Sequence, residues 1–529
     1  MNDAFMSLFL FKKSKSVRRS AGPVVLLIWD GFGVSETAPG NPTLQAKMPH
    51  WHRLMKRYPH TLLGADGPAV GLPPGWPGNS EAGHATIGAG RVVPSDLLHI
   101  TQAIRDHSFF HNPALLKAAE HVKREHSTLH LVGLLTGHRS GHASLDHIRA
   151  LIRFADEQRV PRVALHLITD GRDTHPFQAL TLLEEIQKIL PARFVIASFI
   201  GRFYAMDRNR FWERTELAYR LLVRGEGVAM QSPTQALSEA YARGESDEFL
   251  LPTVLCHQGK CAAPVQDRDA IIFWNLRSDR ARQLIKPFAM YNFETREPHA
   301  FHRVAIRKEL FLVTLTEFGS DLDHVMPAFP HRQIHNTLVE TLRWHRQLYA
   351  AESEKFSQVT YFFNGGSDRA RFGEERLRVP SLRVPRYNRV PRMSADALTT
   401  RLLSALEAPY DFVTVNYANA DMVGHTGDLA AGVLACEALD QNLARVWKAV
   451  RAEHGTLMVT ADHGNIEQMQ LAHGGADTEH NPHPVPLLVA GRAAEHHRLR
   501  AGTLADVAPT VLALLGMAKP VEMTGKNLL

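Results

Sequence analysis

The stretch "VVLLIWDGFG" at residues 24–33 decides the fold. Its opening run is β-branched, aliphatic or aromatic without a polar interruption, which marks a strand buried on both faces. It ends in Asp30 and Gly31, so the strand delivers an acid into the loop beyond it. The same design recurs in "LHLVGLLTG" (129–137), "VALHLITDGRD" (163–173), "ARFVIASFIGR" (192–202), "AIIFWNLRSDR" (270–280), "ELFLVTLTEFG" (309–319), "DFVTVNYANADMVGH" (411–425) and "GTLMVTADHGN" (455–465). Segments of helical period lie between many of these runs, among them "DHIRALIRFADEQR" and "VLACEALDQNLARVWKAVRAEH". Strands alternating with helices predict an α/β fold with parallel sheets. Ligands of such sheets sit beyond the carboxyl ends of the strands, so the polar tails of these runs are the places to search.

The remainder of the composition sets bounds. A length of 529 residues allows two or three domains, each with an ample core. A hydrophobic share of 44% and a charged share of 22% are ordinary for a globular chain. The net charge of +6 is modest at this length; it does not call for nucleic acid and suits a small anionic substrate. Cys256, Cys261 and Cys436 show neither metal-ligand spacing nor a disulfide framework, which fits a reducing cytoplasm. No apolar run reaches the roughly 20 residues that span a bilayer. The opening "MNDAFMSLFLFKKSKSVRRSAGP" puts its short apolar part before its positive charges, the reverse of a signal peptide, and reads as a basic extension over 1–22.

Two sets of polar tails stand out. The first combines acids and imidazoles. Asp30 ends the first strand, "NADMVGHTG" carries Asp421 and His425, "TADHGN" carries Asp462 and His463, and "TEHNPHPVP" carries His480 before a proline-rich stretch. Carboxylate oxygen with imidazole nitrogen suits divalent transition metals, and the count allows two ions. A lone His is more often a surface group, and an Asp at a strand end is often only a turn former; four such places together favour metal. The second set is guanidinium: Arg172 beside Asp173, Arg202 with Arg208, and Arg277 with Arg280. Arginine forks match phosphate and carboxylate, so several at strand ends imply a polyanionic small ligand. Between the sets lies "PPGWPGNSEAGHATIGAGRVV" (73–93), where Ser80 sits on a Gly-rich bend before a helix start. That position suits a helix cap or a nucleophile.

With these residues assembled, the chain resembles cofactor-independent phosphoglycerate mutase, a metalloenzyme family of the alkaline phosphatase superfamily. The resemblance runs from about residue 23 to the C-terminus through "DGFG", "GNSEAGH", "GLLTGHRSGH", "DGRDT", "GRFYAMDR", "FWNLRSDRARQ", "ESEKF", "NADMVGHTGD", "ADHGN" and "EHNPHPVP", with "TLADVAPTVLALLG" and "EMTGKNL" closing it. It implies that Ser80 is the nucleophile that becomes phosphorylated. It implies one metal on Asp421, His425 and His480 and another on Asp30, Ser80, Asp462 and His463. Mn²⁺ is the preferred ion, with Mg²⁺, Co²⁺ and Zn²⁺ compatible with the ligand types. The phosphoglycerate pocket maps onto His142, Arg172, Asp173, Arg202, Arg208, Arg277 and Arg280, with Asp173 as acid/base and Lys355 reaching the transferring phosphate.

The family pattern departs in two places. "TGHRSGHAS" stands where the family reads "SDGGVHSH", so His138 competes with His142 for the pocket histidine. His483 stands where the family has Asn. The implied architecture is two three-layer α/β domains: a discontinuous metal-binding phosphatase-like domain over 23–95 and 329–529, and an inserted transferase domain over 96–328. The hinges are expected at "GRVVPSD" (90–96) and "VMPAFPHRQ" (325–333), with the metal residues on one domain and most arginines on the other. The implied activity interconverts 3-phosphoglycerate and 2-phosphoglycerate in the cytoplasm, without 2,3-bisphosphoglycerate, by a monomer with no nucleic-acid or membrane partner. A metal-dependent phosphatase, sulfatase or phosphopentomutase of the same superfamily is the alternative, and an inactive metal-binding scaffold a third reading.

Overall fold

The structure, a computed structural model, describes residues 22–37, 39–137, 140–257, 260–261, 264–319, 321–370, 373–471, 473–495 and 497–529. The basic extension up to residue 21 and His138 lie outside them. The chain divides into two compact units, one of residues up to Val93 with Gln333–Leu529, the other of Pro94–Arg332.

The first unit is built on an eight-stranded sheet in the order 374–379, 347–352, 412–417, 24–29, 456–460, 485–490, 60–64, 502–503. Val24–Trp29 lies near its centre, parallel to Phe412–Tyr417 on one side and to Thr456–Thr460 on the other. All six of its side chains are buried, each contributing about 1.5–3 kcal/mol for the larger apolar groups. Its continuous apolar run follows from that double cover. Helix Leu429–Ala452 packs beside Thr456–Thr460 and against Ala395–Ala405. Val485–Ala490 runs antiparallel to both neighbours. The sequence showed only a proline-rich stretch here, because Pro486 interrupts the strand signal.

The second unit holds a nine-stranded sheet. Its parallel part runs 325–329, 311–316, 270–273, 129–135, 163–169, 194–201. Thr253–His257 then pairs antiparallel with Phe194–Gly201. The stretch "VMPAFPHRQ", expected as a hinge, begins with the strand Val325–Phe329 of this sheet, and the division between the two units falls at its end, between Arg332 and Gln333. Pro327 is accommodated because the strand lies at the sheet edge, where no partner requires its missing N–H.

The expectation of no disulfide is also corrected. Cys256 and Cys261 are bonded to each other and stand directly opposite in the antiparallel register of Thr253–His257 and Lys260–Cys261. Spacing alone hid the pair because the sequence between them, "HQGK", carries no strong hairpin dipeptide. Cys436 is a free, buried thiol. No helix among the described residues is long and apolar enough to cross a membrane.

Candidate active site

The parallel order of the first sheet brings its polar tails to one edge. Asp30 follows Val24–Trp29, Asp421 lies in the short helix Asn419–Gly424 after Phe412–Tyr417, and Asp462 and His463 follow Thr456–Thr460. Lys355 follows Gln347–Glu352, and His480 precedes the antiparallel Val485–Ala490, which starts at the same edge. Hydrogen bonds lock the tails together: Asp421 N donates to the backbone Asp30 O at 2.9 Å, and Gly31 N donates to the Asp462 side chain at Oδ1, 3.0 Å away.

Ser80 is the first residue of helix Ser80–Ala89. The cap that the sequence left open for it belongs to Asn79, whose side chain accepts from Ala82 N at 2.9 Å. The Ser80 hydroxyl is thereby left to face the acids. It donates to Asp30 Oδ1 at 3.1 Å, lies 3.0 Å from His463 Nε2 and accepts from Lys355 Nζ at 2.7 Å. Gly83, one turn on, lets the helix press onto the metal-side loop, since a Cβ there would fall 2.4 Å from Asp462 O.

The acids and imidazoles form one continuous cluster. Asp421, His463 and His480 converge within 4.8 Å, as do Asp30, Asp462 and His463. His425 Nε2 joins at 3.3 Å from Asp421 Oδ1 and 3.2 Å from His480 Nε2. His463 stands between the two groups, with Nε2 at 3.5 Å from both Asp30 Oδ1 and Asp462 Oδ2 and 3.9 Å from Asp421 Oδ1. The sequence divided these ligands into two separate sets; the shared position of His463 was not visible in it.

Two observations fit the cluster to divalent cations. Each imidazole turns its Nδ1 to a backbone carbonyl: His425 to Thr478 O at 2.7 Å, His480 to Gly78 O at 3.1 Å and His463 to Gly464 O at 3.3 Å. An Nδ1 committed in this way turns Nε2 toward the cluster, the usual arrangement of a ligating histidine, where a cation would take the place of any Nε2 proton. In addition, Asp462 Oδ2 is buried and accepts no hydrogen bond. His84 Nδ1 stands 3.1 Å from it but is committed to Ser80 O at 2.9 Å.

Asn416, His84 and Asn465 were missed by the sequence reading. Asn416 Nδ2 donates to Asp30 Oδ2 at 2.7 Å and lies 3.0 Å from His84 Nε2. Asn465 Nδ2 donates to Asp421 Oδ1 at 3.0 Å. The available signal was an amide inside the otherwise buried run "FVTVNY".

Buried charge dominates the electrostatics. Lys355 Nζ bonds Asp30 Oδ1 and Asp421 Oδ2, each at 2.6 Å. Burial disfavours its charge, but Asp30, Asp421 and Asp462 outweigh that and hold the lysine well above its ordinary value. Burial likewise opposes ionisation of Asp421, yet Lys355 and the hydrogen bonds from His425 and His480 hold it well below the carboxylate range. His463 is disfavoured by burial and then pushed up to about 9, chiefly by Asp462.

The guanidinium set lies in the second unit, again at carboxyl ends of parallel strands. Arg202 is buried at the end of Phe194–Gly201 and bonds Asp170 Oδ1 at 2.5 Å and Asp173 Oδ1 at 3.1 Å. Asp170 was also missed by the sequence reading; it is buried after Val163–Thr169, and its Oδ1 accepts from Arg172 N and Asp173 N at 3.2 and 3.0 Å. Asp173 accepts from Ser140 Oγ at 2.6 Å. Burial opposes its charge, but Ser140 and Arg202 hold it below its ordinary value, so it rests as a base. Burial, then Arg202, pushes His142 down to about 4, leaving it neutral, with Nδ1 buried and unbonded.

Arg208 pairs with Asp279 at 2.7 Å, and Arg172 lies 3.9 Å from Glu248. Partial burial, then the neighbouring charges of Arg208, Arg172 and Arg202, lowers Arg280. Arg277, whose charge acts on His142, precedes helix Ser278–Ala289. The like charges crowded around Arg280 are the kind of surroundings that an anion would relieve.

Known proteins bear on both units. The family described as BPG-independent PGAM N-terminus matches residues 100–320. A 2,3-bisphosphoglycerate-independent phosphoglycerate mutase of Desulforudis audaxviator is 46% identical over 512 residues, covering 96% of this chain and 99% of that one. One from Moorella thermoacetica is 43% identical over 511 residues, covering 96% and 98%. The crystal structure of Leishmania mexicana phosphoglycerate mutase at low cobalt concentration superposes with a TM-score of 0.70 at 28% identity, covering 96% of this chain and 97% of that one. Fold and similarity together define an isomerase of the phosphoglycerate mutase class. Within it, the chain belongs to the 2,3-bisphosphoglycerate-independent phosphoglycerate mutase family.

Proposed function

We propose that the chain interconverts 3-phosphoglycerate and 2-phosphoglycerate through a phosphoserine on Ser80 beside two divalent cations, without 2,3-bisphosphoglycerate. The carrying observation is the surroundings of the Ser80 hydroxyl, with Lys355 Nζ at 2.7 Å, His463 Nε2 at 3.0 Å and Asp30 Oδ1 at 3.1 Å. Asp421, His425 and His480 would hold one ion, and Asp30, Ser80, Asp462 and His463 the other, with Mn²⁺ preferred. Such ions, when bound, lower the proton affinity of a coordinated hydroxyl and neutralise phosphoryl oxygens.

The chain's own residues supply the rest. In the first transfer the bond from Ser80 Oγ to phosphorus forms and the bond to the 3-oxygen breaks, with the proton given up by the Ser80 hydroxyl balanced by the proton taken up on the released 3-oxygen. In the second, the 2-hydroxyl gives its proton to Asp173 as its oxygen takes the phosphoryl group and the bond from Ser80 Oγ to phosphorus breaks; Asp173 then gives up that proton and Ser80 Oγ regains one, which restores the starting state. Asp173 suits this exchange because Ser140 and Arg202 already hold it ionised. Lys355 places a fixed positive charge beside the nucleophile, where negative charge gathers during transfer. His142, Arg172, Arg202, Arg208, Arg277 and Arg280 bind carboxylate and phosphate. Retained glycerate and excluded water separate a mutase from a phosphatase.

The first unit is proposed as the metal-binding phosphatase-like domain and the second as the substrate-binding transferase domain. The chain is further proposed to act as a cytoplasmic monomer with no nucleic-acid or membrane partner. The test is a coupled assay with Mn²⁺ and 3-phosphoglycerate and no added 2,3-bisphosphoglycerate. Formation of 2-phosphoglycerate is expected; release of inorganic phosphate without it would contradict the mutase reading.

A further inference from the structure

Residues 376–394, "RLRVPSLRVPRYNRVPRMS", carry six arginines and no acid. Three of these arginines are taken up locally. Arg376 pairs with Glu374 at 2.5 Å, Arg392 pairs with Asp396 at 2.8 Å, and Arg378 Nε bonds Ser353 Oγ at 3.1 Å. Arg383, Arg386 and Arg389, spaced three apart, are exposed, and no acid or acceptor among the described residues pairs with their side chains. The loop is stiff as well as charged, with prolines at 380, 385 and 391 and no glycine.

Its anchors place it beside the acid–imidazole cluster. Ser394 Oγ donates to Pro380 O at 2.8 Å and closes the base of the loop. Ser381 Oγ accepts from Glu354 N at 3.1 Å, and Tyr387 OH donates to Glu354 Oε1 at 2.9 Å, both next to Lys355. Asn419 Nδ2, two residues before Asp421, donates to Pro391 O at 2.9 Å. Asn388 Nδ2 donates to Asp428 Oδ2 at 3.0 Å, three residues after His425.

We infer that Arg383, Arg386 and Arg389 form a capture rim that draws the phosphorylated, carboxylate-bearing substrate toward the Ser80 centre by long-range attraction. The inference rests on the proposed function for the charge of its ligand. Fixed, unneutralised positive charge on a stiff loop anchored beside the centre attracts an approaching anion over about one Debye length, roughly 10 Å at 0.1 M salt. Rim charges of this kind act on encounter and salt dependence more than on the chemical step.

The test compares wild type with the triple variant Arg383→Gln, Arg386→Gln, Arg389→Gln in Mn²⁺, measuring kcat and kcat/KM for 3-phosphoglycerate across ionic strength. A second triple variant, Arg401→Gln, Lys448→Gln, Arg451→Gln, removes the same net charge from exposed helix positions away from the loop. The loop variant is expected to keep kcat and lose kcat/KM by about fivefold at low salt, with the gap closing toward about 0.5 M. The control variant is expected to follow wild type. The rim is overturned if the loop variant shows the wild-type salt profile, if the control loses as much, or if kcat falls equally at all salt concentrations. A wild type that does not turn phosphoglycerate over overturns the proposed function instead, so the two failures are distinct.

Discussion

Replacing Lys355 by Met removes the buried cation while keeping the length of its stem. Its Nζ bonds Asp30, Asp421 and Ser80 at 2.6, 2.6 and 2.7 Å. Without it, two carboxylates that are wholly buried face each other with no fixed positive charge between them. Removing one partner of a buried ion pair costs about 3–5 kcal/mol. At about 2–4 °C per kcal/mol for a unit of this size, the first unit should melt roughly 6–20 °C lower in EDTA. Added Mn²⁺ should recover much of that loss, because a ligand bound only by the folded state stabilises it. It should not restore turnover, since the charge next to the nucleophile is gone; kcat should stay about 10²–10³-fold down. Thermal unfolding with EDTA or Mn²⁺, paired with steady-state assays, measures both. A variant that melts with wild type in EDTA and retains turnover refutes the reasoning.

Arg202→Lys should raise KM for phosphoglycerate and destabilise the second unit, because an ammonium cannot reproduce the guanidinium spanning Asp170 and Asp173; calorimetry and KM values check it. Asn416→Leu frees the Asp30 carboxylate to rotate, so Mn²⁺ affinity should fall about 10–100-fold in a titration while the melting pattern stays cooperative. The pH dependence follows from His142 and His147, both pushed down to about 4 chiefly by burial. A folded state that keeps them neutral loses stability as pH falls from 6.5, where the unfolded groups begin to charge, toward about 4. His147→Leu should shrink that acid loss by up to about 3 kcal/mol, read from urea unfolding at several pH values.

The features legible in the sequence are those that burial writes into composition. Val24–Trp29 and Thr456–Thr460 are buried on both faces, so their apolar runs are unbroken, and their parallel pairing carries Asp30, Asp462 and His463 to one edge. Val485–Ala490 was hidden because Pro486 removes the pattern of a strand, although its antiparallel partners tolerate it. The disulfide was hidden because opposition of Cys256 and Cys261 depends on register, not on spacing. Within the site, residue types were legible and their division of labour was not. His463 lies between both ligand groups, and Lys355 touches two acids and the serine at once. Such contacts depend on ångström-scale packing of loops that are distant in the chain. Asn416 and Asp170 act by holding other residues, and a polar group in a buried strand or at its end marks only that something there needs a partner.

The proposed function is covalent: phosphate would rest on Ser80 between its two positions on the substrate. Rapid quench of the Mn²⁺-loaded enzyme with labelled 3-phosphoglycerate, followed by peptide mass spectrometry, tests it directly. A labelled phosphoryl group is expected on the peptide containing Ser80, formed before 2-phosphoglycerate appears and absent in Ser80→Ala. Product formed at full rate with no label on that peptide, or by Ser80→Ala itself, would contradict it.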